Sequence, residues 1–252
     1  MKVSTRLLAL ALFATSILFF QNCAKINFSE DLASLNKNNC RIDAVNRDRD
    51  IKVLFVVDTS GSNANNDNGK TWRLKTINSF INKYSQNNFY YAFATFAGSN
   101  SMAYNVIGGF SNVRSVINSD VQKLSAVNDT GGTPYQAAMR SAEVVIKDEE
   151  TQRGGKASYV VVLISDGEPT DTRYTKDSNS QNLTEDVQKV LSSAPEKTTL
   201  NTVFYTALSA SKENTSYLQK MAEVGGGSFM RAKTDSVFDL NSSIYVVGDC
   251  VK

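Results

Sequence analysis

Apolar positions along the chain follow two alternating rhythms. Short runs rich in β-branched and aromatic residues recur at Ile51 to Asp58, Tyr90 to Ala97, Met102 to Ile107, Ser158 to Ser165, Thr199 to Ala207 and Ser228 to Ala232, and each is expected to be a strand. Between them the spacing switches to that of one buried helical face: Ile77, Phe80, Ile81 and Tyr84; Val113, Val116 and Ile117; Val187, Val190 and Leu191; Tyr217, Leu218, Met221 and Ala222. Pro134 suits the first position of a further helix reaching about Lys147, and Ser236 to Ile244 reads as a last one. The run Ile51 to Val57 is apolar except at Lys52, as in a strand buried on both faces of a parallel sheet. Strands alternating with helices predict an α/β fold: a three-layer, doubly wound, mainly parallel six-stranded sheet with helices on both faces. One strand must differ. Gly98-Ser-Asn-Ser101 is too short for a parallel crossover, so Tyr90 to Ala97 and Met102 to Ile107 form an antiparallel pair at one edge.

The chemistry gathers where these strands end. Ligands of open α/β sheets collect outside the carboxyl ends of the strands. The first strand closes there on Asp58-Thr-Ser60-Gly-Ser62, and the run Ser158 to Ser165 closes on Asp166-Gly-Glu-Pro-Thr170. Between them Asp129-Thr-Gly-Gly-Thr133-Pro134 forms a tight loop before a helix. Thr133 alone would serve as a helix cap and Asp166-Gly as a turn. Together, Asp58, Ser60, Ser62, Thr133 and Asp166 offer two carboxylates and three hydroxyls with no nitrogen or sulfur donor, which favours a hard divalent cation: magnesium first, manganese or calcium otherwise. Thr130 competes for the threonine position, but Thr133 follows both glycines and precedes the helix. Glu168 and Asp171 stand close enough in sequence to tune such a site.

These residues resemble the von Willebrand factor type A domain and its metal-ion-dependent adhesion site. The Asp-x-Ser-x-Ser pattern falls on Asp58, Ser60 and Ser62, the separate Thr on Thr133 and the later Asp on Asp166, and the likeness runs from about Asp50 to Ile244. The resemblance implies a Rossmann-like fold with an antiparallel edge strand. It also implies an ion held partly through water, whose shell is completed by an Asp or Glu carboxylate of a protein partner.

The amino terminus speaks to compartment. Lys2 and Arg6 precede an apolar run from Leu7 to Phe20, too short to span a bilayer and patterned as a secretory signal over residues 1–22. Cys23 stands where a bacterial lipoprotein is cut and acylated, and Ala24 after it favours the outer membrane by the same resemblance. The chain has three cysteines. If Cys23 carries lipid, Cys40 and Cys250 remain as a pair for an oxidising compartment. Residues 23–49, polar and Asn-rich, read as a tether, and residues 50–252 as one domain.

Charge and composition remove other classes. Of 27 basic and 25 acidic side chains, the signal takes Lys2 and Arg6, leaving an even balance and no basic stripe for nucleic acid. The absence of histidine excludes Ser-His-Asp and Cys-His hydrolysis, so the expectation is a binding protein and not an enzyme. Two readings follow: an envelope-displayed, metal-dependent adhesion module, or a structural subunit of an envelope assembly whose ion mainly braces the loops. Partner choice would fall to Asn63 to Lys70, Phe110 to Asn112, Tyr135 and Glu168 to Tyr174.

Overall fold

The computed structural model describes residues 39–251 except 47, 175–180, 208–212, 237 and 241–242. The expected signal, Cys23 and the tether as far as residue 38 lie outside the described residues.

Each long apolar run becomes a strand. In chain order the elements are β1 (Asn39–Arg41), β2 (Asp50–Asp58), α1 (Thr71–Lys83), β3 (Phe89–Phe96), β4 (Tyr104–Ser111), α2 (Arg114–Ala126), α3 (Tyr135–Arg153), β5 (Ala157–Ser165), α4 (Gln181–Ser193), β6 (Thr198–Thr206), α5 (Glu213–Val224), β7 (Gly226–Lys233) and β8 (Tyr245–Val247). Six strands form one sheet in the order β4-β3-β2-β5-β6-β7. All neighbours are parallel except β4, which runs antiparallel to β3 at the edge. The doubly wound, mainly parallel expectation holds.

Alternation along the central strand explains why its apolar run is unbroken. Val53, Phe55 and Val57 face one layer with Ile77 and Phe80 of α1 and Ile117 of α2, while Leu54 and Val56 face the other with Ala138 of α3, Val187 of α4 and Leu218 of α5. Phe55 meets Phe80 edge-on at 5.7 Å and stacks on Phe93 at 5.9 Å. Burial of each such side chain contributes about 1.5–3 kcal/mol, and this sandwich holds the strand ends rigidly in place. Lys52, the polar exception, is buried with its ammonium 2.8 Å from Glu149 of α3, so its charge is paired.

Several expectations change in detail. The third helix begins at Tyr135, not at Pro134, and continues past Lys147 to Arg153. In α2 the buried face is Ile117, Asp120 and Leu124; Val113 and Val116 are exposed, because the helix turns a seven-residue repeat inward. Of 236–244, the described residues Ser236, Phe238 and Asp239 are not helical, Leu240 lies in a 3-10 turn, and buried Ile244 leads into β8. Because β4 runs antiparallel, Phe110 to Asn112 lie at the opposite end of the sheet from Asp58, and Phe110 is buried. Tyr135 and Tyr174 are buried as well and offer no partner surface.

The described start of the expected tether belongs to the fold. β1 pairs antiparallel with β8, placing Cys40 opposite Val246. Ile42 and Val45 are buried, and Cys40 and Cys250 form a disulfide that closes a span of 210 residues. Such a crosslink restricts the unfolded chain. Replacing both cysteines with serine is expected to lower stability by about 2–4 kcal/mol, read as an earlier urea midpoint with the slope reinterpreted only if the unfolded state expands.

Candidate metal centre

Asp58 ends β2 and Ser165 ends β5, so the two central parallel strands deliver their last side chains to one crevice. Asp58 is fully buried. Its Oδ1 accepts the Ser60 amide at 2.7 Å and its Oδ2 accepts the Ser165 hydroxyl at 2.6 Å. The Ser60 and Ser62 hydroxyls lie 3.1 Å apart, and the Ser62 hydroxyl donates to Asp166 Oδ1 at 2.8 Å across 104 residues of sequence. The Thr133 hydroxyl borders the same space. A Cβ on Gly167 would stand 3.7 Å from both the Ser62 and the Thr133 hydroxyl oxygens, so the lack of a side chain there keeps the space between the three loops open. Asp58, Ser60, Ser62, Thr133 and Asp166 therefore converge as one oxygen-lined group. Thr130 is exposed; its amide donates to the Thr59 carbonyl at 2.8 Å, which ties the second loop to the first.

The loops are held from beneath. Gly61 donates its amide to the Gly131 carbonyl at 2.9 Å, and Gly98 and Gly132 exchange amide bonds at 3.0 and 3.1 Å, which brings the β3–β4 turn alongside the Thr133 loop. A side chain at Gly132 would meet the Gly98 carbonyl at 2.7 Å, so only glycine admits this approach. Arg73 of α1 is fully buried and bonds Asp67 Oδ2 (2.8 Å), Asp129 (2.9 Å) and the Asp58 carbonyl (2.5 Å). Lys70 pairs with Asp129 at 3.2 Å. Thr133 does not cap α3. Its amide binds the Thr170 hydroxyl at 2.8 Å, while Asp171 accepts the Gln136 amide at 2.8 Å and caps the helix from the third loop. Glu168 is exposed.

Two facing carboxylates at low dielectric resist ionisation. Burial, then the charge of Asp166, pushes Asp58 up to about 6, against the lowering effect of its bonds from Ser165 and Ser60. Asp166 is also raised, chiefly by burial. Arg73 and Lys70 are taken up by Asp67 and Asp129, and among the described residues no ion pair reaches Asp58 or Asp166. Among the described residues no three His, Cys, Asp or Glu side chains converge, so any ion here would rest on this mixed carboxylate and hydroxyl set. The donor set fits a hard ion.

Arg73, Asp67, Lys70, Ser165, Asn63 and Asn66 were not singled out individually by the sequence reading. A signal existed for Arg73: it lies in phase with Ile77, Phe80 and Tyr84 on the apolar face of its helix. The two asparagines fall in the stretch 63–70 expected only as partner surface.

Residues 53–168 match the family model of the von Willebrand factor type A domain. Over that stretch the chain is similar to the von Willebrand factor type A domain, and its fold is of that kind. Solved structures with the same type A fold include a von Willebrand factor type A protein from Catenulispora acidiphila, at 13% identity and a TM-score of 0.51 over 73% of this chain and 38% of that one. The pilus adhesin SpaC of Lactobacillus rhamnosus GG matches at 14% identity and 0.53 over 76% of this chain and 29% of its own. The PilB minor pilin of Streptococcus sanguinis matches at 15% identity and 0.50 over 73% and 56%. In each case this chain spans less than two thirds of the other, and at these identities the likeness is one of fold. None of the curated proteins matches the chain.

Proposed function

We propose that this type A domain is a metal-dependent binding module of the bacterial envelope, which captures an Asp or Glu carboxylate of a protein partner through a divalent cation, magnesium foremost, held by Asp58, Ser60, Ser62, Thr133 and Asp166. The observation that carries this reading is the convergence of those side chains from three loops, with two carboxylates that no cationic side chain pairs among the described residues. Hydroxyl ligands neutralise an ion less than carboxylates do, so the bound ion retains attraction for a guest acid. The type A neighbours that are a pilus adhesin and a minor pilin support a role in contact between proteins.

The structural alternative, an ion that mainly braces the loops, has less to support it. The loops are already joined by main-chain bonds and by Arg73, which leaves bracing to the protein. The domain acts by binding and not by catalysis on this reading, since the chain has no histidine for triad-type hydrolysis. Export and anchoring through an acylated Cys23 at the outer membrane complete the proposal; the Cys40–Cys250 disulfide uses two of the three cysteines. Among the described residues no helix is long and apolar enough to cross a membrane.

Pull-down of envelope or whole-cell proteins with the purified protein tests this directly. Capture is expected in magnesium, and is expected to vanish in EDTA and in Asp58→Ala while the fold persists. Capture that survives both treatments would make the ion irrelevant to recognition.

A further inference from the structure

In this crevice every carboxylate oxygen is already engaged by a donor of the protein. Asp166 Oδ1 accepts the Ser62 hydroxyl at 2.8 Å and Oδ2 accepts the Asn66 amide at 2.9 Å. Asp58 Oδ1 accepts the Ser60 amide at 2.7 Å and the Asn63 amide at 3.4 Å, and Oδ2 accepts the Ser165 hydroxyl at 2.6 Å. Both asparagines come from the single helical turn Asn63–Asn66 directly after Ser62. Both are also oriented from behind by consecutive residues at the end of β6. The Asn63 Oδ1 accepts the Tyr205 hydroxyl, and the Asn66 Oδ1 accepts the Thr206 hydroxyl at 3.2 Å and the Ala207 amide at 3.3 Å. With its carbonyl oxygen committed, Asn66 turns its NH₂ to Asp166, while the Asn63 NH₂ donates first to the Ser60 carbonyl at 2.9 Å and only at 3.4 Å to Asp58 Oδ1, so it braces the Ser60 turn whose amide holds that oxygen.

We infer that Asn66 determines which divalent ion the site accepts, by withholding Asp166 Oδ2 from the ion while the Ser60 amide, braced by Asn63, withholds Asp58 Oδ1, so that neither carboxylate can chelate through both oxygens. This rests on the metal reading above. Calcium takes six to eight oxygens and commonly uses carboxylates through both atoms, whereas magnesium needs about six in octahedral array and accepts single-oxygen ligands and water. A carboxylate pinned by an asparagine suits the second ion and penalises the first. Hydroxyls that donate to carboxylates, as Ser62 does, keep their lone pairs for the ion and impose no such penalty.

Calorimetric titration of the chelator-treated purified protein with magnesium and, separately, calcium tests the assignment. In Asn66→Ala, magnesium affinity is expected to fall about 10–100-fold, the usual effect of losing a partner of a metal ligand. Calcium affinity is expected to hold or rise, so that the magnesium-to-calcium ratio drops at least about tenfold. Asn65→Ala, an exposed neighbour outside these contacts, should leave the ratio unchanged. Tyr205→Phe keeps the ring stacked on Trp72 at 5.0 Å while releasing Asn63, and should move the ratio in the same direction as Asn66→Ala. Circular dichroism in EDTA verifies that each variant is folded, and Tyr205→Phe decides the matter should Asn66→Ala unfold. Equal loss of both ions in the variants, or no change in the ratio, overturns the role of the asparagines while leaving the metal reading intact. Failure of the unmodified protein to take up either ion overturns the metal reading itself, and this inference with it.

Discussion

Asp58→Asn is expected to make the ion-free protein more stable at neutral pH and to abolish its stabilisation by magnesium. Asp58 is fully buried and, through burial first and the charge of Asp166 second, titrates at about 6 in the folded protein against about 3.9 in an unfolded chain. The folded state therefore holds the proton more tightly. Stability from this group is fully present below about pH 4 and is lost as pH rises through about 6, because between those values the folded chain binds more protons than the unfolded one. The loss at pH 7 is about 3 kcal/mol, from roughly two pKa units at 1.36 kcal/mol each. An amide carries no such penalty. Its oxygen can still accept the Ser60 amide, and its NH₂ can donate to the Ser165 hydroxyl, which turns to accept. Urea titrations in EDTA at pH 5 and pH 7.5 should show the unmodified protein weaker at the higher pH, and the variant losing less, with only the share from groups such as Asp166 left. Addition of magnesium at 100 times its dissociation constant should then restore about 2.7 kcal/mol to the former and nothing to the latter. A variant that still responds to magnesium would remove Asp58 from the ligand set.

The second large effect lies one layer below. Arg73→Met should cost about 3–5 kcal/mol, more than loss of the disulfide, because it strands buried charges instead of merely deleting an attraction. Asp67 and Asp129 would keep their negative charges with side chains only 3% and 10% exposed, and the Asp58 carbonyl would lose its guanidinium donor. Lys70 compensates Asp129 only in part. The double variant Arg73→Met with Asp129→Asn should recover a measurable share of the loss in a double-mutant cycle, since one of the stranded charges is then gone. Additive losses would mean that the two residues do not communicate and that Arg73 supports the site through packing alone.

What the sequence reveals about this site divides along local and non-local lines. The ends of β2 and β5 were readable because a β-branched run stops abruptly at a polar, glycine-containing turn at Asp58 and at Asp166, a local signal with a local cause. β1 and β8 have three residues each and no alternation to detect; they exist because the disulfide and the bonds to Thr199, Asn201 and Ser158 hold them at the foot of the sheet. The ends of the stretch expected as a last helix are likewise set from a distance: the Ser236 carbonyl accepts the Trp72 indole, and the Tyr245 amide donates to Asn201. Asp171 was noticed as a possible tuner of the ion, yet its carboxylate is spent on the α3 amide of Gln136. Only the fold decides which loop acid faces the crevice and which faces a helix end.

The bond between Cys40 and Cys250 also has a mechanical meaning. Any pull exerted on the chain before Cys40 and after Cys250 passes from one flank to the other through a covalent link, so the intervening sheet and the crevice at its far end carry none of the tension. A grip formed at Asp58 and Asp166 would still strain the domain from above, but traction along the backbone alone would leave it undeformed until the sulfur bridge was reduced.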